Sequence, residues 1–346
     1  MSLPNINNQW TTQQSGIQDL TLGSSTVPTP GDGQVLVKIH TVALNYRDTE
    51  VIMGLYNHHK TIGNESSSLV PCSDISGTIV SSKSSKWKSG DRVLATFNQT
   101  HVRGQVTAKD MASGLGLPTE GCSQQYWVFD AEGLVRKPEY LTDEESCTLL
   151  IAGVTAWMAI NGMRPLGQPG GKGETVLIQG TGGVAISGLQ IAKASGMEVI
   201  ITSSSDAKLT QAKSLGADHT INYLTKITHN EGVSNIFETG GALTLRQSFD
   251  AIAFGGLINA IGYLSGKEDD NADRTNTNVL ALRRNVTLKG ILNGPRERFE
   301  EMLEWYDEKK IRPVVDKVFS FEEAKEGLKY LYNGGHFGKV VVKVSE

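Results

Sequence analysis

A glycine-rich turn in the middle of the chain is the feature with the clearest chemical meaning. The apolar run TVLIQG leads directly into GTGGVA and then into a helical pattern, SGLQIAKASG. Glycines let the backbone approach a ligand closely, and the N–H groups that open a helix attract an anion. We therefore predict a diphosphate, as part of a dinucleotide, bound by Gly180, Thr181, Gly182, Gly183 and Val184.

The end of the second strand of this pattern, in the run EVIITS, indicates which dinucleotide binds. A carboxylate at such a strand end accepts a hydrogen bond from the ribose of NADH and repels the 2′-phosphate of NADPH. This chain has Ser203, Ser204 and Ser205 there, with Lys208 one turn further on. Hydroxyl groups and an ammonium suit a phosphate, so we predict NADPH rather than NADH. Asp206 argues against this, although a residue that opens a helix has a ready role as its N-cap.

The chain has 346 residues, a length that favours two domains. Its sequence shows two kinds of secondary-structure pattern. The first third has short β-branched runs between Pro, Gly and Ser clusters, which is typical of an antiparallel β domain. Apolar strands then alternate with helices, which predicts an α/β fold with a doubly wound parallel sheet. The predicted strands of that sheet are residues 175–180, 198–203, 219–223, 235–240, 257–264 and 286–292. Two helices and a final strand, predicted at 296–310, 321–332 and 338–344, return to complete the first domain.

Two segments depart from these patterns. Residues 146–163 carry no charge and approach the length of a membrane span. Because they fall short of about 20 apolar residues and include polar ones, we predict a buried helix. Between two predicted strands only residues 224–234 remain, which reach roughly 36 Å when extended and about 16 Å as a helix. An extended connection and a short helical turn are both compatible with this length.

Composition limits the partners and the compartment. A net charge of −4 provides no broad basic field, so we expect neither nucleic acid nor a membrane surface as a partner, and a small molecule instead. Cys72, Cys122 and Cys147 are odd in number and form no CxxC pair, which favours reduced thiols and a cytoplasmic protein. The first ten residues show no basic patch followed by an apolar run, so no secretory signal is expected.

Further motifs extend over almost the whole chain. They are ALNYRD (43–48), GLY (54–56), PCSDISGTIV (71–80), GDRV (90–93), AGVTAW (152–157), the GTGGVA turn, KSLGADHTINY (213–223) and HFGKVVVKV (336–344). Together they resemble the medium-chain dehydrogenase/reductase superfamily, in particular its zinc-free quinone-oxidoreductase-like branch. The resemblance implies a GroES-like β-rich catalytic domain (1–152), a Rossmann domain (153–295) and a C-terminal return (296–346). It also implies a homodimer, formed through strand 257–264 as a sheet edge.

The metal ligands of the zinc-dependent relatives are replaced in this sequence. Those relatives have a Cys where Asn45 stands and a His-Glu pair where Ser73 and Asp74 stand. The loop that holds four cysteines around a structural zinc contains only Cys122 here. The histidine doublet at 58–59 completes no tetrahedral site, and we interpret it as solvated or as lining the substrate site. The sequence therefore predicts no zinc and no other metal.

Without a metal, hydride transfer to a carbonyl or an enone leaves negative charge on oxygen that hydrogen-bond donors or a proton donor must stabilise. The resemblance places Asn45, Tyr46, Arg47 and Tyr56 at the catalytic cleft. Asp48, three residues after Asn45, is expected to orient the others rather than to titrate. These five residues are the predicted catalytic group.

On the cofactor side, the resemblance implies Thr155 and Gly262 at the nicotinamide, Tyr223 near the adenosine and Lys339 near the phosphates. The resulting prediction is an NADPH-dependent, zinc-independent reduction of a quinone, an enone or an activated carbonyl. Two alternatives remain. One is a metal-free alcohol dehydrogenase that reduces ketones, and the other is an NADPH-binding redox sensor or structural protein without turnover.

Overall fold

The computed structural model describes residues 4–56, 68–222, 232–268 and 275–345. The chain divides into two compact units, a first unit of Met1–Val154 with Gly294–Glu346 and a second unit of Thr155–Asn293. The strands are β1 (Ile6–Thr11), β2 (Thr21–Thr26), β3 (Gln34–Leu44), β4 (Asp74–Ser82), β5 (Arg92–Ala95), β6 (Tyr126–Asp130), β7 (Leu134–Arg136), β8 (Thr175–Gln179), β9 (Glu198–Ser203), β10 (His219–Asn222), β11 (Val233–Glu238), β12 (Ile252–Ala260), β13 (Thr287–Gly290), β14 (Val315–Ser320) and β15 (Lys339–Lys343). The α-helices are α1 (Tyr46–Ile52), α2 (Ala108–Met111), α3 (Asp143–Ser146), α4 (Ala152–Asn161), α5 (Gly183–Ala194), α6 (Asp206–Ser214), α7 (Leu245–Ala251), α8 (Thr277–Arg283), α9 (Arg296–Lys309) and α10 (Ala324–Tyr332).

A mostly antiparallel sheet forms the first unit. Its strands lie in the order β14-β15-β3-β4-β5-β7, and β6 also pairs with β3. The long strand β3 organises the sheet, and its apolar side chains Val35, Val37 and Ile39 are fully buried. Strand β15 pairs antiparallel with β3, with Val341 opposite Ala43, so residues from the end of the chain belong to this sheet.

A six-stranded parallel sheet forms the second unit, in the order β10-β9-β8-β11-β12-β13. Its central strands are buried on both faces, as Val176, Ile178, Ile236 and Ile258 show. This confirms the predicted α/β class with a β-rich unit and a Rossmann-like unit. The order runs outward in one direction from β8 and in the other from β11, and ligands of such sheets bind beyond the carboxyl ends of the strands at this switch point.

The structure corrects the prediction that strand 257–264 forms the edge of the sheet. Strand β12 covers Ile252–Ala260 and is paired on both sides, with β11 and with β13. The edge strands are β10 and β13, because they stand at the two ends of the order, and β13 is the one that pairs with β12. The chain continues after β12 into a turn, in which Gly266 N–H donates to Tyr263 O at 2.9 Å.

The uncharged segment 146–163 is buried but is not one continuous helix. After α3 a 3-10 turn covers Cys147–Leu149, and α4 starts only at Ala152. The interruption has a local cause, since Ile151 N–H donates to the Asp74 carboxylate at 3.2 Å, and this side-chain contact takes the donor that a continuous helix would use. No helix in the described part of the chain has the length and apolar character needed to cross a bilayer.

The three cysteines, Cys72, Cys122 and Cys147, are free and buried in the first unit. Burial raises the pKa of the Cys72 and Cys122 thiols well above the usual value and also raises the pKa of Cys147. All three thiols are therefore protonated at neutral pH.

Candidate functional site

The turn between β8 and α5 has the geometry of an anion site. Gly180 follows β8 with φ +79°, a left-handed conformation that favours glycine. Gly182 is the N-cap of α5 and makes no side-chain cap hydrogen bond to this helix. Because the first N–H groups of a helix have no partner within it, α5 presents donors and the positive end of its dipole. A diphosphate fits this arrangement. The residues predicted to bind it are contiguous here: Gly180, Thr181, Gly182, Gly183 and Val184.

The turn between β9 and α6 differs, because its helix is capped. Ser205 is the N-cap, and its hydroxyl accepts a hydrogen bond from Lys208 N–H at 3.4 Å. This corrects the assignment of Asp206 as the cap. Asp206 is instead the first residue of α6, and its carboxylate accepts a hydrogen bond from the Asn222 side chain at 2.8 Å. Ser203 is buried and accepts a hydrogen bond from Ser205 N–H at 3.2 Å, whereas Ser204 is exposed.

A buried polar pair at the switch point of the sheet was not predicted from the sequence. Gln179, the last residue of β8, donates to the Glu238 carboxylate at the end of β11, at 2.8 Å. Glu238 is 1% exposed. Its backbone oxygen accepts a hydrogen bond from the N–H of Gly262, which we predicted at the nicotinamide, at 3.3 Å. The available signal was Glu238 at a strand end, two residues before a pair of glycines. The sequence does not identify Gln179 as its partner.

Helix α4 carries Thr155, the other residue predicted at the nicotinamide, and this side chain is buried. Two buried asparagines connect the end of the helix to the sheet. The side chains of Asn235 and Asn259 both donate to Ala159 O, at 2.9 and 3.1 Å. The last carbonyl groups of a helix have no partner within it, so this contact satisfies a buried acceptor and fixes the position of α4.

The first unit contains a buried cluster around Asn45, which precedes α1. Its backbone N–H donates to the Asp48 carboxylate at 2.8 Å. The ammonium of Lys339 on β15 donates to Asn45 Oδ1 at 2.6 Å and to Leu44 O at 2.7 Å, and lies 3.9 Å from Asp74 Oδ2. The resemblance implied that Lys339 lies near the cofactor phosphates, and in the structure its ammonium has these partners inside the first unit.

Two fully buried carboxyl groups flank this cluster. Burial raises the pKa of Asp48 to about 6, although the adjacent Arg47 guanidinium opposes the shift. Burial also raises the pKa of Asp74, while the Lys339 ammonium and the Ser73 hydroxyl favour its charged form. The Ser73 hydroxyl donates to Asp74 at 2.6 Å. Asp48 therefore titrates closer to neutral pH than the sequence analysis expected.

Arg47, predicted to face the substrate, is held by contacts within its own unit. Its side chain is 10% exposed. It donates hydrogen bonds to Leu115 O at 3.3 Å and to Leu117 O at 3.4 Å. It also forms an ion pair with Asp48 at 3.3 Å. The guanidinium carbon lies over the rings of Tyr56 and Phe97, at 4.9 and 4.8 Å from their centroids. Arg47 and Tyr56 therefore form one packed group that connects α1 to the 115–117 loop.

Tyr46, also in the predicted catalytic group, has a different environment. It is 40% exposed, and its ring stacks on that of Tyr332 from α10 with a centroid distance of 6.5 Å. The structure thus brings buried Asn45 and Asp48 together with half-buried Arg47 and Tyr56, and places Tyr46 on the surface of the first unit.

Some of the predicted residues lie outside the part of the chain that the structure describes. Tyr223, the doublet at 58–59 and most of the connection 224–234 lie outside that part. Among the described residues, no group of three or more His, Cys, Asp or Glu side chains has the geometry to hold a metal ion.

Comparison with known proteins assigns the family. The model of the alcohol dehydrogenase GroES-like domain matches residues 31–139, and the model of the zinc-binding dehydrogenase family matches residues 183–308. The chain is 38% identical over 323 residues to the zinc-type alcohol dehydrogenase-like protein C1773.06c of Schizosaccharomyces pombe, covering 90% of this chain and 91% of that protein. The chain belongs to the medium-chain dehydrogenase/reductase superfamily. It is an oxidoreductase of this superfamily, which confirms the resemblance seen in the motifs at the level of the superfamily.

Other superfamily members extend the comparison. A putative alcohol dehydrogenase from Sinorhizobium meliloti 1021 superposes with a TM-score of 0.87 at 34% identity, covering 99% of this chain and 100% of that one. An acryloyl-coenzyme A reductase from Metallosphaera sedula is 29% identical over 335 residues, covering 91% of this chain and 93% of that protein. Members of similar length therefore carry names that refer to alcohols and to activated alkenes.

Proposed function

We propose that this superfamily member is a zinc-independent reductase that uses NADPH to reduce an enone, a quinone or an activated carbonyl. The observation that carries the proposal is the uncapped start of α5 at Gly182, directly after the central strand β8. It provides unpaired N–H donors for a diphosphate. Bound NADPH supplies the hydride, and the protein binds and orients the reactants.

The surroundings of β9 support NADPH over NADH. Ser203 ends the strand, and Ser204, Ser205 and Lys208 follow it, where a carboxylate would repel the 2′-phosphate. The Asp206 carboxylate, which lies close by, accepts a hydrogen bond from the Asn222 amide at 2.8 Å. Ser205 keeps its hydroxyl proton for a phosphate, because its oxygen is the acceptor in the cap.

The cluster around Asn45 supports a reaction without zinc. The Lys339 ammonium donates to Asn45 Oδ1, so the Nδ2 group of the amide points away from the ammonium. The charged hydrogen bond also polarises the amide, which makes its N–H groups stronger donors. Nδ2 hydrogen-bonds the Asp74 carboxyl group and donates to Ala43 O at 3.5 Å. In the proposed reaction the N–H of the long bond to Ala43 O donates to the substrate oxygen instead, as negative charge develops on it. A buried ammonium 2.6 Å from Asn45 also disfavours a divalent cation beside the same side chain, since like charges repel strongly where water is excluded.

An acceptor panel tests the proposal. NADPH absorbance is followed with matched enones, quinones and ketones, and the series is repeated with NADH. We expect saturable oxidation of NADPH with at least one enone or quinone and a lower kcat/KM with NADH. Preference for simple ketones would instead favour the alcohol dehydrogenase alternative, which the similarity to the Sinorhizobium protein supports. Tight NADPH binding with no acceptor reduced would support a sensor, and stoichiometric zinc by elemental analysis would contradict zinc independence.

We also propose that two copies of the chain associate through β13. This strand pairs with β12 alone and carries Leu288, which is 38% exposed. Phe254 and Leu282 are each 79% exposed, and they are near neighbours because Gly255 N–H donates to Arg284 O at 2.8 Å. A free strand edge beside exposed apolar side chains favours pairing with a second copy.

Light scattering tests this association. We expect twice the monomer mass for the wild type and a monomer for Leu282→Lys, because the charge would be buried on association. Leu22→Lys is the matched control, since Leu22 is also exposed, at 44%, but lies on β2. A monomeric wild type at micromolar concentration would refute the proposal.

A further inference from the structure

One carboxylate in the second unit collects an unusual number of donors. Glu238 Oε1 accepts hydrogen bonds from Gly240 N–H at 3.0 Å, from Gly241 N–H at 2.9 Å and from the Thr244 hydroxyl at 2.5 Å. Its Oε2 accepts from the Gln179 side chain at 2.8 Å and from the Ser248 hydroxyl. The side chain is almost completely buried, so water does not compete for these bonds. The turn after β11 is therefore folded around this carboxylate.

Gln179 connects the same turn to β8. Its side-chain oxygen accepts hydrogen bonds from Thr239 N–H at 3.2 Å and Gly240 N–H at 3.3 Å. Its backbone oxygen accepts one from the Thr239 hydroxyl at 3.1 Å. The next residue is Gly180, which begins the diphosphate turn. The turns at the carboxyl ends of β8 and β11 are thus fixed to each other through Gln179, whose partners include Glu238, Thr239 and Gly240.

The turn after β12 depends on the same residue. The backbone oxygen of Glu238 accepts hydrogen bonds from Ile261 N–H at 2.8 Å and from Gly262 N–H at 3.3 Å. In addition, Leu264 N–H donates to Thr239 O at 3.1 Å. Packing leaves this region little freedom, because a Cβ on Gly241 would lie 2.6 Å from the Cα of Tyr263. The turns after β11 and β12 therefore share Glu238 as a common anchor, and its side chain also contacts Gln179 at the end of β8.

We propose that Glu238 is a positioning residue that holds the turns after β11 and β12 in place for the nicotinamide half of the dinucleotide. This inference rests on the proposed use of NADPH. The adenosine half is served by the β8–α5 and β9–α6 turns, whose own contacts do not include the Glu238 side chain apart from its bond to Gln179. A glutamine at position 238 would direct an NH2 group at N–H or hydroxyl donors and displace those turns.

The test compares two ligands by isothermal titration calorimetry. NADPH requires both halves of the site, whereas adenosine 2′,5′-bisphosphate probes the adenosine half alone. For Glu238→Gln we expect the Kd of NADPH to rise about tenfold or more, as one lost or reversed charged hydrogen bond produces. The Kd of the bisphosphate should stay within about twofold of the wild type. Glu198→Gln is the matched control, because Glu198 lies on β9 of the same sheet but is 52% exposed. It should change neither Kd.

The outcomes separate this inference from the proposed function. Equal weakening of both ligands, or no change in either, overturns the positioning role even if the melting temperature falls. A wild type that binds neither ligand refutes the NADPH proposal instead. If Glu238→Gln does not fold, Thr244→Val removes a single donor from the carboxylate and is the second variant. It should raise the NADPH Kd selectively by a few-fold, and an unchanged ratio of the two Kd values would contradict the inference.

Discussion

Gly182→Asp is expected to abolish measurable NADPH binding while the protein stays folded and becomes slightly more stable. Gly182 has φ −80° and ψ −172°, an ordinary extended conformation that aspartate adopts without strain. As an N-cap, the new carboxylate accepts hydrogen bonds from the first turn of α5, to which Gly182 makes no side-chain cap hydrogen bond in the wild type. Relative to glycine, such a cap contributes roughly a few tenths of a kcal/mol to helix stability. The same carboxylate occupies the donors of the diphosphate and repels it.

Calorimetry and thermal unfolding check this prediction together. We expect at least roughly a hundredfold rise in the NADPH Kd, because charged hydrogen bonds are lost and repulsion is added. The melting temperature should be unchanged or higher. Gly182→Ala is the size control, since it adds a Cβ without a charge, and it should have a much smaller effect on affinity. Wild-type affinity in Gly182→Asp would remove the β8–α5 turn from the proposed cofactor site.

Lys339→Met is expected to reduce kcat by about tenfold to a hundredfold with little change in NADPH affinity. The reason is the 2.6 Å hydrogen bond from the ammonium to Asn45 Oδ1, which sets the orientation of the amide that the proposed reaction uses. Loss of a direct oxyanion donor costs about 10²–10³ in kcat, and loss of its orientation costs less. Steady-state kinetics at saturating NADPH and a separate NADPH titration measure the two quantities.

Lys343→Met is the matched control, because Lys343 lies on the same strand β15 but is exposed. If Lys339→Met raised the NADPH Kd strongly and left kcat unchanged, the phosphate role that the resemblance implied would be correct instead. Stability provides an independent check, since Lys339 favours the charged form of buried Asp74. Without it the folded-state pKa of Asp74 rises further above the unfolded value. The difference in melting temperature between the wild type and Lys339→Met should therefore become larger as pH increases.

Local patterns were sufficient to predict the second unit. Alternating apolar strands and helices, with glycines at 180, 182 and 183, are properties of short windows. Each of the strands β8 to β13 overlaps a predicted strand, although β12 covers Ile252–Ala260 where 257–264 was predicted. The cap of α6 was misassigned by one residue, since Ser205 and Asp206 are both good N-caps and the choice depends on backbone conformation. The edge strand was wrong because strand order depends on how the whole sheet assembles, which no local window contains.

Side-chain partners at the candidate site were the part that the sequence did not reveal. Lys339 and Asn45 are 294 residues apart, and Gln179 and Glu238 are 59 apart. Their contacts result from strand pairing and burial, so a single sequence without structure contains no direct signal for them. Arg47 illustrates the opposite case, in which a residue of suitable chemistry near the site is instead held by neighbouring carbonyl groups and rings.

The burial of Cys72, Cys122 and Cys147 matters for the substrates proposed here. Enones and quinones are electrophiles that form covalent adducts with thiolates, and the adduct forms at a rate set by the exposed, ionised fraction of each sulfur. In this chain that fraction is negligible, because all three sulfurs are enclosed and their pKa values are raised. The fold thus protects the protein from alkylation by the same class of compound that it is proposed to consume.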